Sequence, residues 1–349
     1  MTDVYHPKVS IITPTYNHER YIEQCINSAL NQSYPNWEML IVDDGSDDTT
    51  PDIVSGFTDR RVKYYRQLHK GPQRLGETYN FALSQSSGEL IAILEGDDFW
   101  PHNKLELQIK SFADPNVVLS FGQFIFAYDM DSIVKYRKPP FSPAYTLNNN
   151  TPIGTALPTL FGGTAPAAVT IMIRKEALDT IGGFKQLFNN PYVDFPTLLE
   201  LSMLGRFHYH PSTLGFFRRH KASIMHHQNS DDKQVQYIAT RTTLYLEAFL
   251  EKNREKIQDL NLSYESLEGK IANRKCNGHA LLLFFHGKEL LEFGLTEEAR
   301  NTFHKLLSIH PKIAFRGMAW AGIISTYVNF NICDAVLNIL YLLQGLKRG

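Results

Sequence analysis

Cysteine is scarce: three in 349 residues. Cys25, Cys276 and Cys333 are far apart, odd in number and without metal-ligand spacing. That excludes a disulfide framework and a cysteine-held zinc, and fits a reducing compartment. An excess of charge of either sign is also lacking. The 35 Lys and Arg nearly cancel the 36 Asp and Glu, and no basic run stands out, so nucleic acid is not expected as a partner and an anionic substrate must be met locally. The opening MTDVYHPK lacks the apolar core of a secretory leader, which leads to the expectation of a cytoplasmic protein.

An uninterrupted membrane span is missing as well. The stretch AWAGIISTYVNFNICDAVLNILYLLQGLKRG, 319–349, is apolar but broken by Asn329, Asn331, Asp334 and Asn338. One Asp near the centre of a span costs roughly 2.5–3.5 kcal/mol on insertion scales. Two readings of this stretch stay open. It is either a buried packing helix or an interfacial one, peripheral at the inner face of a membrane, with Trp320 and Tyr327 at the head groups and Lys347 and Arg348 beside anionic lipid.

What is present is ample core material, 43% hydrophobic residues, in two differently patterned segments. From Lys8 to about Phe112 short β-branched runs alternate with helical ones: VSIIT, HERYIEQCINSALNQ, WEMLIVDD, TTPDIVSGF, VKYYRQ, GETYNFALSQS and ELIAILE. This is the β-α-β rhythm of a mainly parallel, Rossmann-like α/β sheet. After about Ser230 long amphipathic patterns take over. The expected division is an α/β domain over 1–230 and an α-helical domain over 231–349. Within the latter, GKELLEFGLTEEARNTFHKLLSIHPK (287–312) reads as a helical hairpin of tetratricopeptide type, or as an ordinary packed pair.

Ligands of open parallel sheets bind beyond the carboxyl ends of the strands. The residues there are TPTYN (13–17), DDGSDDTT (43–50) and EGDD (95–98), two of them acidic. Crowded carboxylates cost roughly a kcal/mol or more each when desolvated and unpaired, so a cation is their natural partner. Oxygen ligands without a Cys or His pair point to Mg2+ or Mn2+. The plainer alternative is helix capping: by Asp44, Ser46 or Asp47 ahead of TTPDIV, and by EGDD ahead of Pro101 and the helix carrying Lys104. The Pro-, Asn- and Gly-rich segment 135–166 reads as an irregular acceptor-side loop.

The run VSIITPTYNHERYIEQCINSALNQSYPNWEMLIVDDGSDDTT, followed by GELIAILEGDDFWPHNKL, IGGF (181–184), Asp194 in VDFPTLLEL and FFRRHKASIM (216–225), resembles the family 2 glycosyltransferases of GT-A fold. The resemblance covers roughly residues 8–225. It implies an inverting, metal-dependent transferase acting on a nucleotide sugar, most simply UDP-linked, with a glycan or glycolipid acceptor; a non-catalytic nucleotide-sugar-binding relative is the alternative. It places Pro14, Thr15 and Tyr16 in the base pocket and Asp44 on the base imide. Asp97 falls at the ribose or sugar, Asp98 at the metal with His220 as a second candidate ligand, and Asp194 as general base. A carboxylate at a helix start, as expected of Asp194, has its anion favoured by the helix dipole. Departures from the family pattern are Glu95 for the usual Asp, Val193 for an acidic residue, and Tyr79-Asn80 for the usual Arg-Asn. The last leaves Arg74 or His69 to help neutralise the diphosphate, and Arg219 stands beside His220 in the same region.

Overall fold

The structure is a computed structural model. It describes residues 6–129, 134–139, 147, 149–186, 192–223, 232–309, 312–328 and 332–333. The predicted alternation is present: β1 (Val9–Thr15), α1 (Ile22–Leu30), β2 (Trp37–Asp43), α2 (Thr50–Ser55), β3 (Val62–Arg66), α3 (Leu75–Gln85) and β4 (Leu90–Ile93). Then come α4 (Lys104–Ile109), β5 (Val117–Asp129), β6 (Val134–Arg137), α5 (Leu157–Phe161), β7 (Met172–Arg174), α6 (Lys175–Ile181), α7 (Asp194–Ser202) and β8 (Arg206–Arg219). The remaining described elements are helices: α8 (Asp232–Lys252), α9 (Arg254–Asp259), α10 (Tyr264–Glu292), α11 (Thr296–Ile309) and α12 (Ile313–Val328).

The sheet runs β3-β2-β1-β4-β7-β5-β6, with β8 pairing β5 off this path. β1 is parallel to both β2 and β4, while β7 is antiparallel to β4 and to β5. Every residue of β1, β2 and β4 is buried, the mark of strands covered on both faces. α1 shows why: Ile22, Cys25, Ile26 and Ala29 recur at helical spacing and close on Val9, Ile11, Met39, Ile41, Leu90 and Ala92. Each large side chain so buried contributes about 1.5–3 kcal/mol. Cys25 belongs to that core, where burial pushes its thiol up and leaves it inert.

Segment 135–166 is less irregular than its composition suggests. It holds part of β6 and all of α5. Asn150, fully buried, donates to the carbonyls of Ser202 and Gly205 and accepts from the amides of Gly154 and Ala156, fastening this stretch to the end of α7. Residues 140–146 and 148 lie outside the described residues.

The chain groups into two compact units. One comprises Met1–Phe126, Pro143–Arg218 and Ala248–Glu268; the other comprises Ala127–Ser142, Arg219–Glu247 and Gly269–Gly349. A boundary at 230/231 describes a change of composition, whereas this interleaved grouping describes contacts. In the second unit, α10 and α11 meet at Gly294 and share a core of Leu290, Ala299, Phe303 and Leu306. Among the described residues no helix is long and apolar enough to cross a membrane. Asn329, Asn331, Asp334, Asn338, Lys347 and Arg348 lie outside the described residues.

Candidate active site

The chain leaves β1 toward β2 on one side and returns through α3 to β4 on the other, so the crevice of this sheet opens where β1 and β4 end. Two hydrogen bonds tie the three polar strand ends together. The Asp44 amide donates to the Thr15 carbonyl at 2.9 Å, and the Gly96 amide to the Pro14 carbonyl at 3.0 Å. Gly96 is required there: a Cβ would stand 2.5 Å from Thr15 Oγ1 and 2.7 Å from His18 Nδ1. Buried Pro14 and Thr15 are thus the floor on which the acidic turn rests.

EGDD is a turn, closed by the Asp98 amide donating to the Glu95 carbonyl at 3.0 Å. α4 starts only at Lys104, so these carboxylates cap no helix. Ligand oxygens of Glu95, Asp97 and Asp98 all lie within 4.8 Å of one another. Asp98 is 1% exposed. Its Oδ1 accepts from the Arg218 amide at 2.7 Å, and its buried Oδ2 has no hydrogen-bond partner among the described residues. Burial first, then the charges of Asp97 and Glu95, push the Asp98 carboxyl well above the usual range. Glu95 is pushed up to about 7 by burial and by Asp97, against the Tyr79 hydroxyl that donates to its Oε1 at 2.6 Å.

Arg218, which the sequence did not single out, packs against the acidic turn. Its guanidinium is buried over the rings of Tyr21 and Phe99, and Nε donates to the Asp97 carbonyl at 2.7 Å. Successive side chains on a strand face opposite ways. Neighbouring Arg219 accordingly turns elsewhere, its Nε donating to Glu289 Oε1 at 2.8 Å. The Phe99–Phe216 bridge fixes which of the two faces the turn: two residues on, Arg218 shares the face of Phe216. With all three carboxylates ionised, as ligation of a cation would require, one guanidinium leaves two net negative charges. An oxygen-only set with that charge and an orphaned buried oxygen fits a hard divalent cation.

Because Glu95 is pushed up to about 7 and Asp98 is raised by burial and by its carboxylate neighbours, cation binding is expected to displace protons on the acid side of neutrality and to weaken as pH falls. Titrating Mn2+ calorimetrically in two buffers of different ionisation enthalpy checks this. Equal apparent enthalpies in both would contradict it.

On the other side of Thr15, Tyr16 stacks on His69, ring centroids 4.2 Å apart. The Asp44 carboxylate is turned toward the 67–71 loop. Oδ1 accepts from Gln67 Nε2 and the Lys70 amide, and Oδ2 from the Gly71 amide. His69 Nδ1 bonds to the Asp44 backbone carbonyl at 2.9 Å and stands 3.1 Å from Oδ2. Asp44 therefore caps nothing in α2; Asp48 does, accepting from the Thr50 amide at 2.9 Å. Arg74 is exposed and held bidentately by Glu77, at 2.6 and 2.8 Å.

Asp194 is half-buried and is the first residue of α7 rather than its cap, which is Val193; its Oδ1 accepts from the Phe195 amide at 2.8 Å. Desolvation raises this carboxyl in spite of that bond, so burial outweighs the helix dipole expected to favour the anion. Asp194 is within electrostatic reach of Glu95 and Tyr79, adding to the upward push on both. IGGF holds this side together. Asn80 exchanges two hydrogen bonds with the Phe184 backbone, and Gly183, at φ +82°, leaves the space that a Cβ would take 2.4 Å from Asn80 Oδ1. His220 is buried and belongs, like Arg219, to the helical unit.

A family model described as Glycosyl transferase family 2 matches residues 10–182. The chain is 37% identical over 145 residues to the putative teichuronic acid biosynthesis glycosyltransferase TuaG of Bacillus subtilis, covering 40% of this chain and 56% of that protein. It is 39% identical over 132 residues to WfgD of Escherichia coli, a UDP-Glc:alpha-D-GlcNAc-diphosphoundecaprenol beta-1,3-glucosyltransferase, covering 38% of this chain and 51% of that one. The chain thus spans about half the length of these curated relatives. Among solved structures, the mannosyltransferase PcManGT of Pyrobaculum calidifontis, in complex with GDP-Man and Mn2+, superposes with a TM-score of 0.54 over 96% of this chain and 86% of that one. At 18% identity that likeness shows the fold. The strand-end acidic turn, the GT-A-type sheet and the matched segment agree: residues 10–182 of the chain are a glycosyl transferase family 2 domain.

Proposed function

We propose that the chain is a metal-dependent, inverting glycosyltransferase that moves a sugar from a UDP-linked donor to a hydroxyl of a glycan or glycolipid. The observation that carries this is the buried, unpartnered Oδ2 of Asp98 in a three-carboxylate turn at the end of β4. Mn2+ or Mg2+ held by Asp98, with Asp97 and Glu95 beside it, would offset the charge growing on a diphosphate leaving group. Tyr16 and His69 offer ring faces to a base. A base imide N–H can replace the Gln67 amide on Asp44, since Gln67 Nε2 keeps Thr78 Oγ1 as a partner. Arg218 fixes the acidic turn. Asp194 takes the acceptor proton as the hydroxyl attacks the anomeric carbon opposite the leaving group, which inverts that carbon.

WfgD uses UDP-Glc and a diphosphoundecaprenol-linked acceptor, and PcManGT was captured with Mn2+; both support this choice of donor, metal and lipid-linked acceptor. A cytoplasmic placement with peripheral membrane contact through the C-terminal helices belongs to the same reading. The Tyr79–Glu95 bond favours a second one, a donor-binding protein with little turnover, because it removes one carboxylate from ready service. A panel of UDP- and GDP-sugars, tested by calorimetry with and without Mn2+ and then for nucleoside diphosphate release with glycan and lipid-linked acceptors, separates them. Metal-dependent binding with release is expected. Binding without release on any acceptor selects the second reading, and no metal-dependent binding refutes both.

A further inference from the structure

α12 carries more apolar surface than its own core uses. Its inner face, Phe315, Met318, Ala319 and Ile323, joins Phe303 and Leu306 of α11 and Phe284 of α10. On its outer face Trp320, Ile324 and Tyr327 are 50%, 46% and 69% exposed. Spacings of four and three residues put these in one stripe, with exposed Arg316 one turn before Trp320. At the other end Arg300 of α11 lies over the Tyr327 ring, 4.1 Å from its centroid, and its Nε donates to Thr326 Oγ1 at 3.1 Å. From Arg316 to Tyr327 the stripe is about 16 Å long at the helical rise, with a guanidinium at each end. Charge is one-sided here. From Ala299 to Val328 the chain has Arg300, Lys305, Lys312 and Arg316 and no Asp or Glu, although the whole chain is balanced at 35 against 36.

We infer that this face docks the protein on an anionic phospholipid surface. Trp and Tyr favour the head-group layer, where an apolar ring and a polar edge are both satisfied. Guanidinium groups beside them meet lipid phosphates, and each basic side chain near such a surface strengthens binding about fivefold. A second copy of the chain is a poor occupant, because a two-fold contact would bring like-charged ends together. The inference rests on the peripheral membrane contact proposed above and names its face and its lipid; vesicle binding is read without donor or metal, so its failure is distinguishable from failure of the transferase reading.

The test uses the full chain with vesicles of phosphatidylcholine alone or with about a quarter phosphatidylglycerol. Trp37 and Trp100 are buried, so Trp320 is the exposed reporter of the chain's three tryptophans. Expected are co-sedimentation with the anionic vesicles, loss on raising salt, and a blue shift of tryptophan emission absent in Trp320→Phe, which still binds. Trp320→Ser with Tyr327→Ser should weaken binding at least tenfold at unchanged melting temperature, and Arg316→Gln about fivefold. No binding to anionic vesicles at low salt, or equal binding by the double variant, overturns the inference. So does a vesicle-free dimer, seen by sedimentation velocity, that the double variant abolishes.

Discussion

Asp98→Asn is expected to lose roughly a hundredfold or more in Mn2+-dependent UDP affinity while the metal-free protein melts no lower than the parent. The first effect follows from removing one of two net negative charges at the cation's position. The second follows from the direction of the Asp98 shift. A carboxyl held well above its usual range is one whose ionised form the fold resists. Between its unfolded and folded values the native state holds the proton and the unfolded chain does not, so stability falls as pH rises through that window. An amide of the same shape removes that penalty and can donate to Glu95 or Asp97. Calorimetry with Mn2+ and with chelator, beside thermal melts without metal, checks both halves. Undiminished metal-dependent affinity in the variant would remove Asp98 from the metal site.

Asp194→Asn is expected to lower turnover by about 10² to 10⁴ with UDP affinity unchanged, since a general base acts only in the transition state. Asn keeps the size and can still accept from the Phe195 amide, so the start of α7 should hold and the melting temperature should not move. Raised by desolvation, the native carboxyl also predicts a turnover limb that falls on the acid side, a limb missing from the residual activity of the variant. Near-normal turnover on the true acceptor would leave Asp194 a structural residue and transfer the role to Asp97. Glu200 is not a substitute: it stands at the far end of α7 and pairs with Lys252 at 3.3 Å.

The first half of the sheet was legible because β1, β2 and β4 are covered on both faces and read as continuous apolar runs, with α1 between them carrying its burial at helical spacing. The acidic turn was legible for the opposite reason, three charges ending such a run. β5 and β8 were not, because their burial follows neither pattern: β5 is buried over its first half and only in part after it, and β8 mixes buried, intermediate and exposed positions without a period of two. Arg218 could not be told from Arg219 without knowing which face of β8 meets the turn. Nor does any local pattern show that Asp44 is engaged by Gln67, Lys70 and Gly71, since those bonds join a strand end to a loop more than twenty positions away. Tyr79 and Glu95 each departed from the family pattern in sequence; only the structure shows them bonded to one another, so the two departures are one change.

The interleaving of the two units has a consequence for how the chain is made. A ribosome delivers all eight strands by Arg219, yet Phe249, Leu250, Ile257 and Leu267, buried in the sheet-bearing unit, are still to come. At ordinary rates of synthesis the wait from Arg218 to Glu268 is about 3–10 s. Throughout it Phe161, whose ring meets that of Phe249, lacks its cover, as does the face of Gly154 on which Leu260 and Leu262 close. Nascent chains of this protein therefore pass through an interval with a finished sheet and an unfinished surface, which is the state that holdase chaperones engage and that slowed translation over residues 219–268 would prolong.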